Sequence, residues 1–205
     1  MEKSYREWII RIICLFLGVS AAVLTMIPGQ KEKEEQRKIA QNVLRFHIRA
    51  NSDSEKDQKE KIRVRDLVLD ILNEISCEDD TKEQVKEKIR KNSGRIQKVA
   101  EEAVFPRSVK ISMVWDWFPE KKYGDCTFPT GWYEALRIDI GKAEGHNWWC
   151  VLYPGLCYAD SIHPVFMEKG KKELKQILDD DAYDFIMHPG KTKIKFRWLK
   201  RWNFL

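Results

Sequence analysis

The stretch Tyr123–Asp160, YGDCTFPTGWYEALRIDIGKAEGHNWWCVLYPGLCYAD, holds three of the chain's five cysteines and constrains the fold more than any other segment. From Glu134 to Ile140, Leu136, Ile138 and Ile140 alternate with Arg137 and Asp139, so one row of side chains faces a core and the other faces water. Gly141 to Gly145 reads as a turn. Trp148-Trp149-Cys150-Val151-Leu152-Tyr153 follows, apolar on both faces, as expected of a strand covered on both sides, and Pro154 ends it. Each indole buries roughly 150–250 Å², which makes this strand the expected centre of packing.

The remaining elements are read from period. Val43–Ala50 suits a strand. Ser52 followed by Glu55 fits a capping box at the start of a helix. Downstream, Val64, Leu67, Val68, Ile71, Leu72 and Ile75 share one face at steps of three and four. Val85, Ile89, Ile96, Val99, Ala103 and Val104 continue that period through a second helix, with Asn92-Ser93-Gly94 as a point of breakage or bending. After Pro106 the period becomes two: Val109, Ile111, Met113, Trp115 and Trp117 alternate with Lys110, Ser112 and Asp116, predicting a strand antiparallel to Glu134–Ile140. Glu168–Leu178 reads as a short helix and Lys193–Trp198 as a last strand. The expectation is an α+β fold, a mixed or antiparallel sheet with two amphipathic helices packed on one face, preceded by an N-terminal hydrophobic segment.

That segment reads as a targeting element. Lys3, Arg6 and Arg11 precede an uncharged run of 16 residues from Ile12 to Ile27. Such a run is long for a signal-peptide core and short of the ~20 residues that comfortably span a bilayer. Small residues at Ser20-Ala21-Ala22 offer a cleavage point, yet apolar residues continue beyond them, so cleavable signal peptide and retained anchor both stay open. Either places Gln30 onward outside the cytoplasm of the producing cell. The organisation expected is residues 1–29 as signal or anchor, 30–42 as a charged linker and 43–205 as a single extracytoplasmic domain. With 37 basic against 32 acidic residues and a net charge of +5, the chain carries a mixed, solvated surface, not the one-sided excess of a nucleic-acid binder.

Residues 45–54, RFHIRANSDS, with Asp57-Gln58-Lys59, Val64-Arg65-Asp66, Tyr123-Gly124-Asp125, Tyr133-Glu134-Ala135-Leu136-Arg137 and residues 145–157, GHNWWCVLYPGLC, resemble the stage II sporulation protein R family in order along residues 35–165. His146 and Gly155 stand where the family pattern suggests a variable Lys and Pro, and the tail from Lys193 is unusually rich in Trp and Arg. The resemblance implies a signalling protein, not an enzyme. Members are made in the forespore of endospore-forming bacteria and exported between the forespore and mother-cell membranes. There they trigger a membrane-embedded aspartic protease that removes the pro-sequence of sigma-E. The partners implied are that protease and, through the N-terminal segment, a membrane; no cofactor, metal, nucleic acid or small-molecule substrate is expected.

Several residues admit sharper chemistry. Cys150 and Cys157 flank Pro154-Gly155, so the chain can turn back and bring the sulfurs within bonding range; a disulfide and two buried thiols both fit. Cys126, His146, Cys150, Cys157 and His163 supply soft ligands, but none shows the short paired spacing of a zinc site. Cys150 with His163 would be a thiol nucleophile and base, without an evident orienting carboxylate. Asp125, Glu134 and Asp139 are the candidate carboxylates of the rival reading, an enzyme acting on the cell envelope. For partner recognition the candidates are Asn51, Ser52 and Asp53 at the strand-to-helix junction, with Trp148 and Trp149. Lys193–Trp202 suits either an edge strand with a charged face or an anionic membrane interface.

Overall fold

The computed structural model describes residues 2–77, 79–157 and 164–189, with the side chains of 2–4, 20–29 and 164–169 left undescribed. The chain runs through α1 (Glu2–Asn42), β1 (Leu44–Arg49), α2 (Glu55–Ile75), α3 (Lys82–Lys91), α4 (Ser93–Val104), β2 (Val109–Phe118), β3 (Lys121–Tyr123), β4 (Cys126–Phe128), β5 (Gly131–Ile140), β6 (Asn147–Tyr153), α5 (Pro164–Ile177) and α6 (Asp180–Met187). This is an α+β fold.

Four strands form one sheet in the order β2-β5-β1-β6, and β3 pairs with β4 as a separate hairpin. The sheet is mixed. β1 runs parallel to β5, with Phe46 opposite Leu136, whereas β2–β5 and β1–β6 are antiparallel. The β2–β5 pairing follows the expectation from alternation. The position of β6 does not: the Trp-rich strand lies at the sheet edge, and Trp148 and Trp149 are half-buried. The centre belongs to β5 and β1, because their apolar rows are the ones that meet the helices.

One sheet face carries Phe46, Ile48, Leu136, Ile138, Ile140 and Val109, packed against Val64, Val68 and Leu72 of α2 and Ile96 and Ala100 of α4 in one buried cluster. Burying each such side chain stabilises by roughly 1.5–3 kcal/mol. The second helical stretch is broken where expected: α3 ends and α4 begins around Asn92. The opposite sheet face, which the sequence left unassigned, has a core of its own. Tyr133, Ala135, Val151 and Phe118 pack there with Ile39 and Val43, the hairpin's Tyr123 and Phe128, and Leu174, Ala182 and Ile186 of α5 and α6. Arg45 is completely buried on this side. Its guanidinium carbon lies 4.4 Å from the Phe118 ring centroid and 5.0 Å from that of Tyr133, and its Nε donates to the Cys150 carbonyl at 3.0 Å.

The start of α2 differs from expectation. Ser54, not Ser52, is the cap, and its side chain accepts from the Asp57 N–H. Ser52 is drawn away because its hydroxyl donates to Asp57 Oδ2 at 2.6 Å. A full capping box does occur at Thr81 and Gln84, opening α3.

Residues 30–42, read from their charges as a linker, form the last part of α1, with Ile39 and Ala40 buried. Upstream, α1 exposes Ile13, Leu15, Phe16, Leu17 and Val19. Among the described residues no helix is long and apolar enough to cross a membrane; the side chains of 20–27, half of the N-terminal run, are outside that description. The expected strand at Lys193–Trp198 and the candidate His163 also lie outside the described residues.

Candidate functional site: the junction of two loops

The loop between β1 and α2 and the turn between β5 and β6 are locked together. Asn51 is the hinge pin: its Nδ2 donates to Asp57 Oδ2 at 2.7 Å, and its Oδ1 accepts from the Lys142 N–H at 3.1 Å. Backbone bonds run alongside, from Gly145 N–H to the Ala50 carbonyl at 2.9 Å and from Glu144 N–H to the Asn51 carbonyl at 3.3 Å. Asp53 closes the far side, accepting the His146 N–H and pairing with the His146 ring. Lys61, on the first turns of α2, donates to the His146 carbonyl at 3.0 Å and to Gln58 Oε1 at 2.6 Å.

Two glycines permit this approach. Gly141 has φ +55, the left-handed region, and a Cβ there would lie 2.3 Å from Asn51 Oδ1. A Cβ on Gly145 would lie 2.2 Å from the Ser52 carbonyl oxygen. Underneath, Asp57 is the electrostatic keystone. It accepts from Asn51 and Ser52 and pairs with Arg107 at 2.7 Å. The Asn51 and Ser52 hydrogen bonds, helped by Arg107, hold its carboxyl below the usual range. Asp53 is likewise lowered, first by the His146 N–H. With Asp53 and His146 exposed and the loops beneath them tied, the junction is a surface of fixed shape and mixed polarity.

Asn51, Ser52 and Asp53 thus come together with Gly141–His146, joining the two longest sequence motifs. Trp148 and Trp149 do not join them on one surface. As consecutive strand residues they point to opposite faces. Trp148 packs edge-on to Phe46 at 5.5 Å, with the Arg65 guanidinium 5.3 Å over its ring. Trp149 stacks on His47 at 3.7 Å on the other side.

The remaining candidates are scattered. Cys150 and Cys157 are joined as a disulfide, with Cα atoms 5.3 Å apart. Cys126 is buried beside Met187, and among the described residues no group of three or more His, Cys, Asp or Glu is placed to hold a metal. The three candidate carboxylates are held apart by separate cations: Asp125 pairs with Lys171, Glu134 with Lys82 and Lys86, and Asp139 with Arg49 and Arg137.

Sequence reasoning missed a charged patch beside Trp149. His47 Nδ1 lies 2.9 Å from Asp116 Oδ2, Arg137 reaches the same carboxylate at 3.4 Å, and Arg49 pairs with Asp139 at 2.6 Å. The signal was present in β1, where Arg45, His47 and Arg49 alternate with Phe46 and Ile48. Also missed was the exposure of Trp115, Trp117 and Trp132; alternation assigned Trp115 and Trp117 to the core row, and they are indeed on that face, but beyond the reach of α2 and α4.

These features define a mixed-sheet α+β domain carried on a long helix, with its most heavily tied surface at a junction of two loops. The model of the stage II sporulation protein R family matches residues 40–163, which takes in both halves of that junction. Stage II sporulation protein R of Bacillus subtilis (strain 168) is 31% identical over 188 residues, 85% of this chain and 84% of that protein. The chain belongs to the stage II sporulation protein R family. No solved structure matches it.

Proposed function

We propose that this chain is a sporulation signal exported from the forespore, which activates a membrane-embedded aspartic protease and so brings about processing of pro-sigma-E in the mother cell. The observation that carries the reading is the junction itself. Residues 51–53 and 141–146, far apart in sequence and inside the family match, are tied into one exposed surface. Tied loops lose little entropy on binding, which favours recognition of a partner. The N-terminal run supports the route: Ile12–Ile27 is uncharged and follows Lys3, Arg6 and Arg11, and its Ile13, Leu15, Phe16, Leu17 and Val19 are exposed along α1. It delivers the domain to the space between the two membranes, where an extracytoplasmic part of the protease is the partner.

The test is reconstitution in a non-sporulating bacterium. Full-length chain, protease and pro-sigma-E are co-expressed and the pro-sequence is followed by immunoblot. Shortened sigma-E that accumulates only when all three are present is the expected result. Equal processing without the chain, or none with it, would overturn the proposal.

A further inference from the structure

Trp115, Trp117 and Trp132 are 57%, 50% and 57% exposed. Trp117 and Trp132 are direct cross-strand partners with ring centroids 5.8 Å apart. Trp115 lies two residues before Trp117, on the same sheet face. That face is buried by α2 and α4 over Ile111, Met113, Leu136 and Ile138 and is left open at this end. Clustered exposed indoles of this kind mark a docking surface.

The patch is built against α1. Gln36 Nε2 donates to the Trp132 carbonyl at 3.1 Å, and a Cβ on Gly131 would strike the Gln36 side chain at 2.4 Å. Between helix and strands lies an open cleft of ≈720 Å³, lined by Gln30, Lys33, Arg37 and Ala40 on one side and Trp115 and Trp132 on the other. Glu34 also lines it.

We infer that Trp115, Trp117 and Trp132, with Lys33 and Arg37, form a bilayer-interface platform that seats the domain on an anionic lipid surface beside the N-terminal run. Gln30, in the cleft, is three residues past the end of that run at Ile27. At a rise of ~1.5 Å per residue the cleft begins ~5 Å along the helix from the last apolar residue, and Gln36, which holds the Trp132 carbonyl, lies ~14 Å along it. The near end of the cleft is thus at headgroup depth, the interfacial zones occupying the ~5–8 Å beyond each side of the hydrocarbon core, and a helix tilted toward the tryptophans, within the ordinary range of membrane helices, brings the indoles to the same level. Tryptophan is the residue enriched at that depth, where an apolar ring and a polar N–H are both accommodated. Lys33 and Arg37 outnumber Glu34 in the cleft and suit anionic headgroups. A second copy of the chain or a protein partner would satisfy the apolar rings, but neither accounts for a cleft that opens three residues past the end of the run.

The inference rests on the run lying in the membrane, and its test is independent of protease activation. Full-length protein bearing Trp8→Phe is reconstituted, without protease, into phosphatidylglycerol–phosphatidylethanolamine vesicles whose acyl chains carry bromine near the headgroup. Tryptophan quenching is compared for this protein, for W115F/W117F/W132F and for W148F/W149F in the same background. The triple change lowers bromine-sensitive emission about twofold, and the double change leaves it in place. Equal quenching with and without the three indoles overturns the inference. So does a patch-dependent dimer in detergent with unquenched patch emission, which would mean a second copy is the occupant. If the triple variant does not keep the melting temperature of its parent, Trp117→Phe alone is read; it lowers quenching in the same direction, and no change overturns the inference. Failure of lipid contact leaves the processing assay unaffected, and failure of processing leaves the quenching result unaffected.

Discussion

His47 is a buried imidazole set in a patch of charge. Trp149 covers one ring face, Asp116 holds Nδ1, and Arg49 and Arg137 approach through their carboxylate partners. Burial is the largest influence and disfavours the imidazolium; Asp116 opposes it, and the balance leaves the group below its ordinary value of 6.5. A histidine depressed in the folded state is neutral there while the unfolded chain still takes up a proton. Its contribution to stability is therefore complete above the unfolded value and is lost as pH falls through that value toward the folded one. Urea unfolding of the protein should show stability declining between about pH 7 and pH 5, and His47→Gln should flatten that decline. Identical slopes for the two proteins would mean that protonation of His47 is not what the fold resists. Asp57 and Asp139, whose carboxyls are likewise lowered, also lose their contribution as pH falls, but only in the acid range, below the window where His47 titrates.

At the scale of elements, the loop junction depends on close backbone approach. Gly145→Ala would place a methyl 2.2 Å from the Ser52 carbonyl, a backbone atom that can yield only if the loop moves, whereas a Cβ on Gly155 meets nothing within 4 Å. Gly145→Ala should cost ~1–3 kcal/mol in chemical denaturation and Gly155→Ala less than ~0.5 kcal/mol. Comparable losses at both would show that the junction is not the tight contact. The elements themselves were legible where a pattern has room to repeat: α2 by its steps of three and four, and β2 and β5 by alternation. The hairpin of Lys121–Tyr123 and Cys126–Phe128 was not, because three-residue strands carry too little period to read. Spacing pointed to Ser52 as the cap, and only the tertiary pull of Asp57 on the Ser52 hydroxyl leaves that role to Ser54. The apolar content of Trp148–Tyr153 suggested a central strand, yet sheet order is a matter of non-local pairing, and an edge strand can be as apolar when aromatic and basic side chains such as His47 and Arg65 pack on it. Asn51, Ser52 and Asp53 were legible as an exposed polar corner; that residues 141–146 complete it was not, since nothing local records which turn meets which loop.

Over the whole molecule, the two surfaces lie at opposite ends of the same strands. β5 begins at the tryptophan platform, with Gly131 and Trp132, and ends at Ile140 where the junction turn starts; β1, parallel to it, leaves α1 and ends at the loop of Asn51. Eight residue steps from Trp132 to Ile140 at ~3.3 Å each set the two ends ~26 Å apart. On the proposed reading, a domain seated on lipid by one end presents the other away from the bilayer, toward the extracytoplasmic part of the protease. The two ends should then fail separately. Asp53→Ala removes the acceptor of the His146 N–H from an exposed position, where such a pair contributes little to stability. It should abolish or strongly reduce pro-sigma-E processing in the co-expression assay while shifting the melting temperature by less than ~2 °C and leaving bromolipid quenching unchanged. W115F/W117F/W132F should lower quenching about twofold and retain processing when the chain is overproduced, because abundance compensates for weaker seating but not for a missing contact. Full processing by the Asp53→Ala protein would remove the junction as the surface the protease reads, whatever the lipid measurement shows.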